Sequence, residues 1–184
     1  MKPWMMRGVV AAALITGGWG AWYFLFPSPE RVIRGRVQEL ARLASFSSNE
    51  GVLAKAYRSE QLADFFARNV VLVLNVPGNS VRTWRGRDTV QEIAMQARTS
   101  LHDLHVKFPD VAVSISPGQQ EAVVNVTAEV RYSGHKTPDV QELRLRFEKI
   151  GGDWLIKRVE TVRTLLWREG GLKVLGHLEN QRGA

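Results

Sequence analysis

The sequence predicts an α+β protein: an apolar N-terminal span, then three helices packed on a mostly antiparallel sheet. Three observations carry this expectation. Residues 8–26 hold no charged side chain. Three later stretches repeat apolar residues at the 3.6-residue period of a helix. From residue 104 onward, apolar and polar residues alternate between turn signals spaced about a dozen apart. The expected organisation is a short basic tail at 1–7, a transmembrane helix at 8–26, a folded domain at 30–165 and a tail at 166–184.

"GVVAAALITGGWGAWYFLF" (Gly8–Phe26) would rise about 28 Å as a helix, close to the ~30 Å hydrocarbon core of a bilayer. Trp4 lies at one end, and Trp22, Tyr23, Phe24 and Phe26 crowd the other, as interfacial aromatic belts do. A cleaved signal peptide is the rival reading, with Lys2 and Arg7 as its basic head. Such peptides end in small residues, whereas this one ends "WYFLFPSP". An uncleaved, single-pass signal-anchor with its N-terminus inside is therefore expected. Arg31, Arg34, Arg36 and Arg42 follow the span, so the positive-inside count does not favour that orientation; the short basic head before the apolar run does. Ala13, Gly17 and Ala21, at four-residue spacing, would let two spans approach closely.

Ser28 can cap a helix with Pro29 in its first turn, and Ile33, Val37, Leu40, Ala41 and Ala44 then recur on one face. Arg31, Arg34 and Arg36 form a membrane-proximal basic group able to rest on a lipid bilayer's anionic head groups, or simply to face water. A second helix is expected over about 50–66, with Leu53, Tyr57, Leu62, Phe65 and Phe66 as apolar positions. Val70–Val76 reads as a buried strand, "PGN" as its turn and "SVRTW" as a short returning strand. Gly86 precedes a third helix striped by Val90, Ile93, Ala94, Ala97 and Leu101.

Strands follow at about 104–116, 121–132, 141–150 and 154–164, with no helical period between them, as in antiparallel hairpins. Ala122, Val124, Val126, Ala128, Val130 and Tyr132 share one face of the second of these, opposite Asn125, Thr127, Glu129 and Arg131. Beyond Leu166 the pattern fades, with a short helical piece expected around Leu172–Leu178.

Composition narrows the function. Of 184 residues, 45% are hydrophobic and 23% charged, a globular balance. The absence of Cys excludes disulfides, thiolate metal sites and a Cys nucleophile, and leaves the compartment open. A net charge of +7 invites a nucleic-acid reading, yet the basic residues alternate with acids in "QELRLRFEK" and "KRVETVR", as on a solvated surface. No nucleic-acid partner is expected. His102, Asp103 and His105 lack a metal-ligand spacing and read as an ordinary helix-to-strand junction. Neither a phosphate loop, a Ser nucleophile elbow nor a zinc motif is present, and no cofactor or metal is expected.

"LADFFARNVVLVLNVPG", "WRGRDTVQEI" and "AVVNVTAEVRYSG…ELRLRFEKIGGDWLIKRVE" together resemble the nuclear transport factor 2-like superfamily and its SnoaL-like branch, over residues 30–165. The resemblance implies a cone-shaped domain, a curved sheet wrapped on three helices with a pocket at its wide end. Enzymes of this superfamily such as ketosteroid isomerase commonly place a catalytic Asp at the end of the first strand. Asn75 stands at the matching position here, and an amide cannot take a proton near neutral pH. The isomerase's second buried acid would fall near Leu143. The departure argues against catalysis by those routes. Tyr57, Asn75, Trp84, Tyr132 and Phe147 are the candidate ligand-pocket residues, although the aromatic ones could instead fill the core.

The resulting expectation is a single-pass, membrane-anchored domain, periplasmic on a bacterial inner membrane, with a non-catalytic binding, scaffolding or assembly role. Its partners would be a second copy or a membrane complex, with a hydrophobic small molecule as a candidate ligand. The alternative is a membrane-tethered SnoaL-like isomerase, dehydratase or hydrolase.

Overall fold

The computed structural model describes residues 28–75, 81–134, 137–168 and 171–175. The expected span at 8–26 and the basic tail at 1–7 lie outside them. Among the described residues, no helix is long and apolar enough to cross a membrane.

Helix α1 (Pro29–Ala44) starts where its cap predicts: the Ser28 side chain accepts a hydrogen bond from the Arg31 N–H, and Pro29 opens the first turn. Ile33, Val37, Leu40 and Leu43 form its buried stripe. Helix α2 (Val52–Ala63) is shorter than expected, because the chain leaves it to join the sheet. The Phe65 carbonyl accepts the Ile156 N–H at 2.8 Å, and Phe66 pairs beside Ile156. Strand β1 (Phe66–Asn75) therefore begins four residues before Val70, with a register shift between Phe66 and Val71. A buried aromatic side chain docking on the core outweighs the helical pattern that runs through it.

Strand β2 (Val81–Arg85) returns antiparallel to β1, with Trp84 opposite Leu72. Gly86 follows at φ +93°, where its N–H still reaches the Val70 carbonyl at 2.9 Å. A Cβ there would meet nothing closer than 3.9 Å, so the backbone angle, not space, selects glycine. Helix α3 (Arg87–Ser100) then runs back along the sheet.

The remaining strands are β3 (Leu104–Ile115), β4 (Glu121–Tyr132), β5 (Asp139–Ile150), β6 (Asp153–Arg168) and β7 (Gly171–Leu175). The sheet order is β2-β1-β6-β5-β4-β3, with β7 also paired to β6. All pairings are antiparallel except β1 with β6. One sheet face is buried under the helices: Ala122, Val124 and Val126 of β4, Leu145 and Phe147 of β5, and Ile156 and Val159 of β6 join Ile33, Val37 and Val70 in one core.

The helical piece expected around Leu172–Leu178 is a correction where it is described. Gly171–Leu175 is a strand, with Arg168 opposite Gly171 and Thr164 opposite Leu175. A single alternating turn's worth of residues beside an open stretch of β6 gains ladder hydrogen bonds sooner than it can nucleate a helix.

Phe147 is 2% exposed at the centre of this core. Phe147→Ala should lower the unfolding free energy by about 3–5 kcal/mol in a denaturant titration of the full chain, whereas Val162→Ala on the outer face should change it by about 0.5 kcal/mol or less.

Candidate functional site

The third helix turns Arg98 inward at a position where its stripe predicts only apolar residues: Val90, Ala94 and Arg98 are its buried side chains. Burial of a guanidinium demands partners. One Nη donates to Glu50 Oε2 at 2.7 Å, the other donates to the Leu43 carbonyl at the end of α1, and the guanidinium lies 5.0 Å from the Phe46 ring centroid. Glu50 also accepts Arg58 Nη1 at 2.6 Å on its other oxygen. Nothing in the sequence pattern marks this knot; only the three-dimensional approach of three helix ends reveals it.

Beneath Arg98 lies a cavity of about 190 Å³, walled by Phe46, Leu62, Leu72, Ile93 and Leu104. Its walls are almost wholly apolar, and its one ionic group already has its hydrogen bonds. The volume is below the ~300–1,000 Å³ usual for small-molecule sites, so it suits a small apolar group.

The opposite, outer face of the sheet is ionic. Glu160 on β6 sits among three arginines: Arg158 Nε donates to it at 2.9 Å, while Arg144 and Arg146 of β5 lie 3.6 and 3.7 Å away. The Arg158 hydrogen bond holds the Glu160 carboxyl below its ordinary value against the opposing effect of partial burial, and the charges of Arg158, Arg146 and Arg144 add to it. Arg146 and Arg158 also border a groove of about 470 Å³ with Asn69, Val71, Glu121 and the Lys157–Glu148 ion pair. Three cations around one anion leave an excess of positive charge at the middle of this face.

The five candidate pocket residues do not converge. Phe147 pairs with Ala122, and Tyr132 closes the same strand ten residues on, roughly 33 Å away at ~3.3 Å per residue. Phe147 is core; Tyr132 is half-buried and donates to Asp139 Oδ2 at 3.2 Å. Burial first, then the neighbouring Asp139 charge and hydrogen bond, push the Tyr132 phenol up. Asn75 lies at the same end of the sheet as Tyr132: its N–H donates to Thr161 Oγ1 at 3.1 Å and its carbonyl accepts from Gln141. Trp84 is half-buried on β2 against the core, and Tyr57 stands 61% exposed on α2. None of the five is among the residues lining the apolar cavity.

The basic group divides as well. Arg34 binds Glu30 and the Val111 carbonyl at 2.7 Å, fastening α1 to β3. Arg36 lies 4.7 Å over the Phe65 ring, its Nε without a hydrogen-bond partner among the described residues; the ring face offsets part of that loss. Arg31 is exposed. His105 Nε2 lies 3.8 Å from Asp103, and among the described residues no group of three metal-type donors occurs. Leu143 packs against the core.

No family model and no curated protein matches the chain. Solved structures do. A candidate scytalone dehydratase from Novosphingobium aromaticivorans aligns at TM-score 0.56 and 16% identity, covering 82% of this chain and 95% of its own. A chain of the yeast deubiquitinase Ubp3 and Bre5 cofactor complex aligns at 0.53 and 11%, covering 72% and 93%. An NTF2-like protein with a cystatin-like fold, also from N. aromaticivorans, aligns at 0.52 and 20%, covering 70% and 79%. At these identities the likeness establishes the fold: α+β, three helices on a mixed sheet, nuclear transport factor 2-like. Function does not follow from it.

Arg98→Met should destabilise the chain by about 3–5 kcal/mol by leaving Glu50 buried without its main partner, and adding Glu50→Gln should restore part of the loss in thermal and denaturant melts. Glu160 should act on the acid limb. Its folded pKa is depressed, so its contribution is fully present above the ordinary glutamate value of about 4.3 and disappears as pH falls through the folded value. Glu160→Gln should therefore flatten stability against pH over that acid window and leave the slope between pH ~6 and ~8 unchanged.

Proposed function

We propose that this chain is a membrane-anchored, non-catalytic binding domain that assembles with a partner through the outer face of its sheet. The apolar segment at 8–26 supports the anchor, with the domain on the periplasmic side of a bacterial inner membrane. One observation carries the non-catalytic reading: the cavity beneath the helices contains a single ionic side chain, Arg98, and Glu50 and the Leu43 carbonyl already hold it. A dehydratase or isomerase needs an acid or base within hydrogen-bond reach of its substrate. An arginine already held by a carboxylate and a helix-end carbonyl supplies neither. The cavity accommodates a small apolar group instead.

A second ionic cluster lies outside, where Arg144, Arg146 and Arg158 surround Glu160. A face of this kind recognises carboxylates, by electrostatic steering and by hydrogen bonds from the guanidinium forks. The solved neighbour from the deubiquitinase and cofactor complex is one instance of this fold within an assembly.

A photo-crosslinking residue in place of Val162, which is 43% exposed on that face, tests the assembly role in intact membranes. Heavier adducts with another protein are expected, weakened by Arg144→Glu with Arg146→Glu and by raised salt. Recovery of adducts of the chain with itself alone would count against the role.

A further inference from the structure

The first two turns of helix α2 are inside out. The helix buries Ser59 and Ala63 against the body of the domain, packs Leu62 on the core at its C-terminal end, and turns the large apolar side chains of its first two turns to solvent. Val52, Leu53 and Tyr57 are 75%, 87% and 61% exposed. With Ala56, also exposed, they follow the spacing of one helix face over the first two turns. The other large apolar residues of comparable exposure among those described, Val81, Ile150 and Val162, stand singly on different strands. Single exposed hydrophobic residues are ordinary; a contiguous set on one helix face marks an interaction site.

We propose that this stripe docks into the head-group region of the bilayer that anchors the chain. The inference rests on the membrane attachment proposed above. Its occupant is chosen by what the chain itself holds close. The uncharged run at 8–26 ends just before Ser28, the cap of α1. Helix α1 is 16 residues long, which is about 24 Å, and Arg98 joins its end at Leu43 to Glu50, just before α2. The stripe thus lies about one helix length from the tether, where the bilayer is present at a high effective concentration. A second copy or a soluble partner has no such advantage.

With α1 lying along the membrane plane, the stripe and the tether meet the same surface. The solvent face of α1 carries Arg31, Arg34, Gln38 and Arg42, with Glu30 and Glu39 paired to two of these arginines. Around the stripe, Lys55 and Arg58 have long apolar stems that can lie on acyl chains while their charges stay in water, and Tyr57 has the amphipathic ring favoured at the boundary.

The chain contains no cysteine, so one introduced thiol reports without background. Leu53→Cys, labelled with an environment-sensitive fluorophore, is reconstituted as the full chain in phosphatidylcholine–phosphatidylglycerol vesicles, beside Ser114→Cys on the outer sheet face. The expected result is a blue-shifted emission at position 53, quenched several-fold more strongly by doxyl-labelled lipids than the label at 114. Equal quenching of both labels by aqueous iodide, in protein that sediments with the vesicles, would overturn the docking while leaving the anchor intact. Disulfide formation between two copies at position 53, with no lipid quenching, would also overturn it and assign the stripe to self-association. Failure of the full chain to sediment with vesicles would overturn the anchor and the docking together.

Discussion

The paired charges of Arg98 and Glu50 hold the helical layer together. Both side chains are nearly inaccessible, at 1% and 8% exposure. Isolating either in the interior would cost several kcal/mol, so each is tolerable only while the other is in place. Arg98 also satisfies the Leu43 carbonyl, one of the acceptors that a helix end leaves without an intrahelical donor. Through Arg58, Glu50 brings in α2. Three helix ends are joined here by one carboxylate and two guanidinium groups. The apolar cavity is the space that remains beneath that junction.

Strand geometry divides the domain's chemistry. Side chains alternate between the two faces, so on β5 Leu145 and Phe147 face the helices while Arg144 and Arg146 face water. The interior can hold a small apolar group, and the exterior can hold charge. The exception is the buried Arg98–Glu50 pair at the rim of the cavity.

How far the sequence reveals this depends on the range of the interaction. Strand β4 falls at 121–132 as its alternation predicts, and α1 starts at the Ser28 cap, because period and capping are local. The start of β1 at Phe66 is not local: it depends on Ile156 across the sheet. Arg98 is invisible for a related reason, since its partners lie 48 and 55 residues earlier. The candidate pocket failed to converge because shared-face membership says nothing about position along a strand. Tyr132 and Phe147 both follow the apolar alternation, yet occupy opposite ends of the sheet.

The parallel pairing of β1 with β6 has a consequence for synthesis. Val71 lies beside Arg158 and Val73 beside Glu160, so one flank of β1 waits for a strand made only after β2, α3, β3, β4 and β5. Strand β6 is also the neighbour of β5 and β7, which makes it the strand that joins β1 and β2 to the rest of the sheet. Until it forms, Phe66, Val70 and Leu72 lack the Trp154, Ile156 and Val159 part of their core, whatever local order the earlier helices acquire. During that interval the flank of β1 that carries Val71 and Val73 lacks its neighbour, and an unpaired strand edge is a template for pairing with other chains.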